Sequence, residues 1–160
     1  MTKIEKLRRK KGMTQFQLAI RTGIEQCRIS NFEKMRNNID NARIETVCKF
    51  AKTLNVKAWE ILNDQTLCEM LYSVSEYDEI EHDEFFDGTR FAEIRTLRSM
   101  TQTELSQQIN ISQSKISQME RAGVDTVHIG TICGLCIHLS CNPCDLIDNK
   151  TLREELRGIL

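Results

Sequence analysis

The chain carries one segment twice. Met13–Glu33 aligns without a gap on Met100–Glu120 at an offset of 87 residues, and nine of the 21 positions are identical. Ordinary composition would give about one such match by chance. After a two-residue difference in loop length the match resumes at an offset of 85, pairing Ile44, Thr46, Cys48 and Leu54 with Ile129, Thr131, Cys133 and Leu139. A separation this long, met only twice, means two domains of one kind rather than a stacked solenoid.

Each copy reads as two short helices around a tight turn. Thr14 and Thr101 stand just before apolar-periodic segments, where a side-chain oxygen can cap a helix. Leu18 and Leu105 point inward, and the small neighbours Ala19 and Ser106 let a second helix cross closely. The turn falls at Gly23 in one copy and at Asn110 in the other. Those residue types enter the left-handed backbone region at least cost, so the exchange keeps a conformation rather than a side chain. Ser112 can cap the helix that follows, and Glu25 takes that place in the first copy, where it suits the helix dipole.

At 100° per residue, Ile29 and Phe32 form the buried edge of this following helix, and Ile116 and Met119 do so in the second copy. Opposite them lie Gln26, Cys27, Ser30, Asn31 and Lys34, matched by Gln113, Ser114, Ser117, Gln118 and Arg121. Amides, hydroxyls and a cation on one narrow face are the groups that pair with base edges in a major groove. A plain solvated face is the alternative. The matched pattern in two copies favours base reading over it.

These residues carry a resemblance. Ile4-Glu-Lys-Leu-Arg, MTQFQLAIRTGIEQCRISNFEK and IETVCKFAKTLNVKAWEIL in the first copy resemble the lambda-repressor-like, Cro-type (XRE) helix-turn-helix domain. So do Phe91-Ala-Glu-Ile-Arg, MTQTELSQQINISQSKISQMER and IGTICGLCIHLSCNPCDLI in the second. The resemblance implies an all-α chain: two tandem five-helix domains joined by an acidic, partly helical linker. It implies that Gln15 and Gln102 hold a phosphate at the start of their helices. Gln26, Cys27 and Asn31, with Gln113, Ser114 and Gln118, match base-reading positions, and Arg28 and Lys115 flank that face. Glu25 departs from the hydroxyl usual at its position, and Cys27 is a poor hydrogen-bonding reader. The organisation this gives is residues 1–63, a linker 64–88 with an amphipathic helix, residues 89–149, and a helical tail 150–160.

Charge is distributed unevenly. Residues 1–63 carry a net +8, residues 64–87 a net −9, and residues 88–160 balance at zero. Lys10, Lys11, Arg28, Lys34 and Arg36 are available to phosphates in the first copy; Arg95, Arg98, Lys115 and Arg121 occupy comparable places in the second. Residues 1–63 alone are therefore expected to bind DNA with a steeper salt dependence than 88–160. The acidic segment interleaves Tyr77, Ile80, Phe85 and Phe86 among its charges. A solvated linker is the default for such a run; docking on the basic first domain, in competition with DNA, is the alternative.

Leu67, Met70, Leu71 and Val74 form a helical stripe of the kind that packs on its own domain, and Leu152, Leu156 and Ile159 form another in the tail, to cap the second domain or pair with another copy. Cys133, Cys136, Cys141 and Cys144 spell C-x2-C-x4-C-x2-C, a spacing that invites zinc or an iron–sulfur cluster. The repeat aligns them with Cys48, Ala51, Val56 and Trp59, so core packing accounts for all four. The N-terminus lacks the apolar stretch of a signal peptide, no run is long enough to span a bilayer, and seven cysteines read as a reducing cytoplasm. No nucleophile motif, metalloprotease motif or glycine-rich phosphate loop appears. The expectation is thus a cytoplasmic, non-enzymatic repressor that reads double-stranded DNA without a cofactor. Two alternatives stand beside it: a module whose second domain binds another regulator or a second copy, and a cysteine-based metal or redox sensor.

Overall fold

A computed structural model describes residues 1–160. The first repeat contains α1 (Lys3–Lys10), α2 (Gln15–Thr22), α3 (Gln26–Glu33), a 3-10 turn at Ile39–Asn41, α4 (Ile44–Leu54), α5 (Ala58–Ile61) and α6 (Gln65–Ser75). The second contains α7 (Arg90–Leu97), α8 (Gln102–Ile109), α9 (Gln113–Ala122), α10 (Ile129–Leu139), α11 (Pro143–Leu146) and α12 (Lys150–Ile159). The chain is all-α, in two similar halves. No helix is long and apolar enough to cross a membrane.

Local chemistry fixes the helix ends in parallel. Thr14 and Thr101 each cap their helix by accepting the N–H of the third helical residue, and Gln17 and Glu104 reach back to complete the capping box. Gly23 (φ 66°) and Asn110 (φ 54°) both adopt the left-handed conformation that ends α2 and α8. Ser112 caps α9, whereas the Glu25 side chain makes no capping bond to α3. Asn142 caps α11 ahead of Pro143.

The two halves are joined by reciprocal contacts. Ala42 and Val127 are equivalent positions in the two copies, as are Ile44 and Ile129. The Ile44 N–H donates to the Val127 carbonyl (3.1 Å), and the Ile129 N–H donates to the Ala42 carbonyl (2.9 Å). A reciprocal pair of this kind defines an internal two-fold axis, running between Arg43 and His128. The sixth helices obey the same axis. At an offset of 85, Leu67, Leu71 and Val74 of α6 correspond to Leu152, Leu156 and Ile159 of α12. α6 packs on α10 of the second repeat as well as on its own α5, and α12 packs on α4 of the first repeat. Both stripes are buried, and 39 apolar residues form one core through both halves.

This arrangement differs from the expected five-helix units in giving each repeat a sixth helix, and it gives the two stripes another role. α6 reaches beyond its own repeat, and α12 closes the first repeat as well as packing on α11.

The acidic segment docks, but on the second repeat rather than on the basic first one. The side chain of Asn142 donates to the carbonyls of Ser75 (3.1 Å) and Tyr77 (3.0 Å), and Asp145 accepts the Ile80 N–H (2.9 Å). Arg157 clasps Glu79 through two hydrogen bonds of 2.6 and 2.7 Å. Glu93 accepts the Asp83 N–H and faces His82 Nδ1, each at 2.7 Å. Net charge pointed to the first repeat; the directional acceptors for this backbone all lie in the second. Ile80 packs on the core, while Phe85 is 94% exposed.

Cys133, Cys136, Cys141 and Cys144 are all buried, in the manner of core residues. Burial pushes the Cys133 and Cys144 thiols up to about 12 and raises Cys136 as well, so these sulfurs stay protonated. No three His, Cys, Asp or Glu side chains converge as metal ligands.

Exchange of helices makes the halves interdependent. Residues 1–63 taken alone would lose the packing of α12 on α4 and expose apolar surface that the whole chain buries. Leu71→Ala and Leu156→Ala, at two fully buried positions, should each cost about 2–5 kcal/mol and lower one shared unfolding transition. Calorimetry checks this: two resolved transitions, only one of them moved by each substitution, would mean independent domains.

Candidate nucleic-acid interface

α3 and α9 stand on matched supports. Arg8 of α1 donates to Glu33, the last residue of α3, through Nε (2.5 Å) and Nη2 (2.9 Å), and through Nη1 to the Met13 carbonyl. Gln15, the first residue of α2, donates Nε2 to the same carboxylate at 2.8 Å. In the second repeat Arg95 pairs with Glu120 and donates to the Met100 carbonyl, while Gln102 Nε2 donates to Glu120 at 2.5 Å. One carboxylate, buried in the first copy and half-buried in the second, thus ties the first, second and third helices together in each. The recurrence of Arg8 and Arg95 at the offset of 87 was the available sequence signal for this pair, but an arginine at an exposed-looking helix position gives no hint of an internal partner.

Burial alone would push the Glu33 carboxyl up. The hydrogen bonds from Arg8 and Gln15 and the nearby guanidinium charges of Arg8 and Arg9 outweigh burial and hold it below its ordinary value. Glu33 is 7% exposed, so water screens the pair little.

With their inner edges fixed by Ile29 and Phe32, and by Ile116 and Met119, the helices turn their opposite faces outward. Gln26, Cys27 and Arg28 are exposed on the first turn of α3, and Gln113, Ser114 and Lys115 on that of α9. Further along, Ser30, Asn31 and Ser117 are partly covered and Gln118 is exposed. The Cys27 thiol lies 3.4 Å from the Glu25 carboxylate, and the Ser112 and Ser114 hydroxyls lie 3.1 Å apart. Lys34 and Arg36 are exposed where α3 ends. Met35 takes a positive φ of 57° there, and the Asn31 carbonyl accepts the Arg36 and Asn37 N–H groups. Arg121 is exposed but bends back toward the Ser117 carbonyl (3.4 Å).

Two cations read as phosphate contacts are committed elsewhere. Arg95 is paired with Glu120, and Arg98 donates to the Leu139 and Ser140 carbonyls at the end of α10. Lys115 and Arg121 remain on the second repeat. On the first, Arg28, Arg36 and Lys49 share a groove of about 910 Å³ with Arg43 and His128, the two residues flanking the internal axis. Arg43 escaped sequence reasoning because it falls where the two loops differ in length.

The sequence model of the Cro/C1-type HTH DNA-binding domain family matches the chain twice, over residues 3–66 and 90–151. No curated protein and no solved structure matches the chain.

Glu33→Ala would strand the Arg8 guanidinium and should cost about 3–5 kcal/mol, whereas removing both partners in favour of apolar residues of similar volume should cost much less. Chemical denaturation of the two variants beside the wild type checks this, equal losses arguing against the pair. The pH sign follows from the lowered carboxyl: the pair's stabilisation is complete above the ordinary glutamate range and is lost as pH falls through the folded value. The wild-type protein should therefore lose more stability on acidification than the apolar double variant.

Proposed function

This chain belongs to the Cro/C1-type helix-turn-helix family of DNA-binding transcription regulators, and from that premise we propose that it acts as a repressor, reading both halves of one operator as a single chain. The observation that carries this is the internal two-fold relation between α3 and α9. Dimeric regulators of double-stranded DNA match their own symmetry to a palindrome, presenting reading helices to major grooves about 34 Å apart. Reciprocal hydrogen bonds across Arg43 and His128, ten residues after Glu33 and six after Ala122, give the same relation inside one polypeptide.

In this reading Gln26, Cys27, Ser30 and Asn31 face the bases of one half-site, and Gln113, Ser114, Ser117 and Gln118 those of the other. A glutamine amide placed at the first turn can pair bidentately with adenine. Arg28, Lys34 and Arg36, with Lys115 and Arg121, take phosphates. Gln15 and Gln102 each give one amide hydrogen to a glutamate, which leaves the second for a phosphate oxygen. Because Cys27 differs from Ser114, and Asn31 from Gln118, the half-sites are related but unequal.

Gln26→Ala and Gln113→Ala should each weaken specific binding by about 1–3 kcal/mol while sparing affinity for random DNA. Gln15→Ala should lower affinity across all sequences. Selection from a random DNA pool with the wild-type chain should return an imperfect palindrome bound by one chain. A perfect palindrome bound by two chains would contradict the single-chain reading, and equal losses on random and selected DNA would show that the reading face is misassigned.

A further inference from the structure

Arg43 and His128 hold equivalent positions across the internal axis, and both line the groove of about 910 Å³ beside α3. Reciprocal hydrogen bonds at Ile44 and Ile129 fix the backbone here, while both side chains are exposed. Where the first repeat places a guanidinium, which is always charged, the second places an imidazole, whose charge changes near neutral pH. Arg28, on the flank of the outward face of α3, lines the same groove, so the groove opens beside that face.

The other charged groups of the groove all come from the first repeat. Arg28 and Arg36 are exposed and make no ion pair within the chain, and neither does Arg43. Lys49 pairs with Glu45 at 2.6 Å, and the Glu25 carboxylate lies beside the Cys27 thiol. Asp125, the nearest acid before His128 in sequence, stays outside the groove and accepts the N–H groups of Asp148 (2.8 Å) and Asn149 (2.9 Å). Four cations thus face two carboxylates, one of which already neutralises Lys49. Among the lining residues, His128 alone gains or loses a proton near neutrality. The positions that match Arg28, Glu45 and Lys49 in the second repeat are Lys115, Gly130 and Gly134, so the charged side of the axis is that of the first repeat.

A single chain that lays α3 and α9 in successive major grooves puts the midpoint between them over the centre of the operator. The internal axis passes through that midpoint, and the DNA facing it there is the minor groove with its two bordering sugar-phosphate backbones. We infer that the groove seats a backbone phosphate of the operator centre between Arg43 and His128, and that His128 takes up a proton in doing so, which tightens operator binding on the acid side of neutrality. This rests on the single-chain reading proposed above. A phosphate in contact with an imidazole favours the protonated ring, whose two N–H groups can both donate. By linkage, a proton held more tightly in the complex than in the free chain strengthens binding as pH falls, and the gain is lost as pH rises.

The test titrates the full-length chain into a labelled duplex carrying the selected site, followed by fluorescence anisotropy at about pH 6 and about pH 8 and at constant ionic strength. The wild-type chain should bind about three- to tenfold tighter at the lower pH. His128→Asn should remove the difference and bind throughout as the wild type does at the higher pH. His128→Arg, permanently charged, should also remove it but bind throughout as the wild type does at the lower pH. His138→Asn, exposed on α10 and outside the groove, should leave the difference intact. The His128 side chain is exposed and makes no hydrogen bond within the chain, and matching melting curves confirm that its variants fold. The inference is overturned if the wild-type affinity is equal at both pH values while the selected duplex is still bound, which leaves the single-chain reading standing. It is also overturned if His128→Asn keeps the difference, which would place the titrating group elsewhere. A perfect palindrome bound by two chains, or no binding to double-stranded DNA, would remove the single-chain reading and this inference with it.

Discussion

Everything in this molecule depends on the closure of α4 and α10 by helices from the opposite repeat. Val47, Cys48 and Ala51 of α4, and Ile132, Cys133 and Cys136 of α10, are fully buried. A unit of about 60 residues has too little interior to bury such helices on every side. Here each repeat lends its sixth helix to the other, and the two backbone hydrogen bonds beside Arg43 and His128 fix the angle between them. α3 and α9 consequently belong to halves that share one continuous core.

Within each repeat the Arg–Glu pair, buried in the first and half-buried in the second, supplies the finer constraint. Apolar packing by Ile29 and Phe32 sets how deep α3 lies but resists sliding only weakly, because hydrophobic contact is non-directional. A guanidinium fork on a carboxylate is directional, and Gln15 adds a third bond to the same group. The pair therefore fixes the register of α3 against α1 and α2. Its recurrence as Arg95, Glu120 and Gln102 shows that the duplication carried the positioning device together with the helix it positions.

What could be read from the sequence was local. Capping by Thr14 and Thr101, the left-handed turns at Gly23 and Asn110, and the buried edges at Ile29 and Ile116 follow from short-range chemistry, and the duplication gave each a second witness. The exchange of α6 and α12 was not legible. Leu67, Leu71 and Val74 announce an apolar stripe, but periodicity cannot name the surface that covers it. The equivalence with Leu152, Leu156 and Ile159 stands in the sequence, where Thr66 and Thr151, and Glu69 and Glu154, match at the same offset of 85, but a shared pattern does not say which repeat each helix covers. The acidic segment failed for a different reason: summed charge has no direction, and its position is decided by the carboxylates of Asp145 and Glu93, which accept its N–H groups despite their like sign. Burial pushes the Asp145 carboxyl up, against the pull of those hydrogen bonds and of His82.

Fusion of two copies changes what each is free to become. In a dimer of separate chains every substitution appears twice, and association costs translational freedom that a single chain does not lose. With the partner always attached, the repeats can diverge without losing each other. The outward faces of α3 and α9 keep Gln26 and Gln113, and Ser30 and Ser117, yet differ at Cys27 and Ser114. Cationic side chains collect on the first repeat, while the second commits Arg95 and Arg98 to internal bonds. The acidic segment is held by the second repeat alone, through Asn142, Asp145 and Glu93. A two-fold scaffold bearing unequal halves gives the chain a direction along any symmetric site it occupies, which no homodimer of identical subunits possesses.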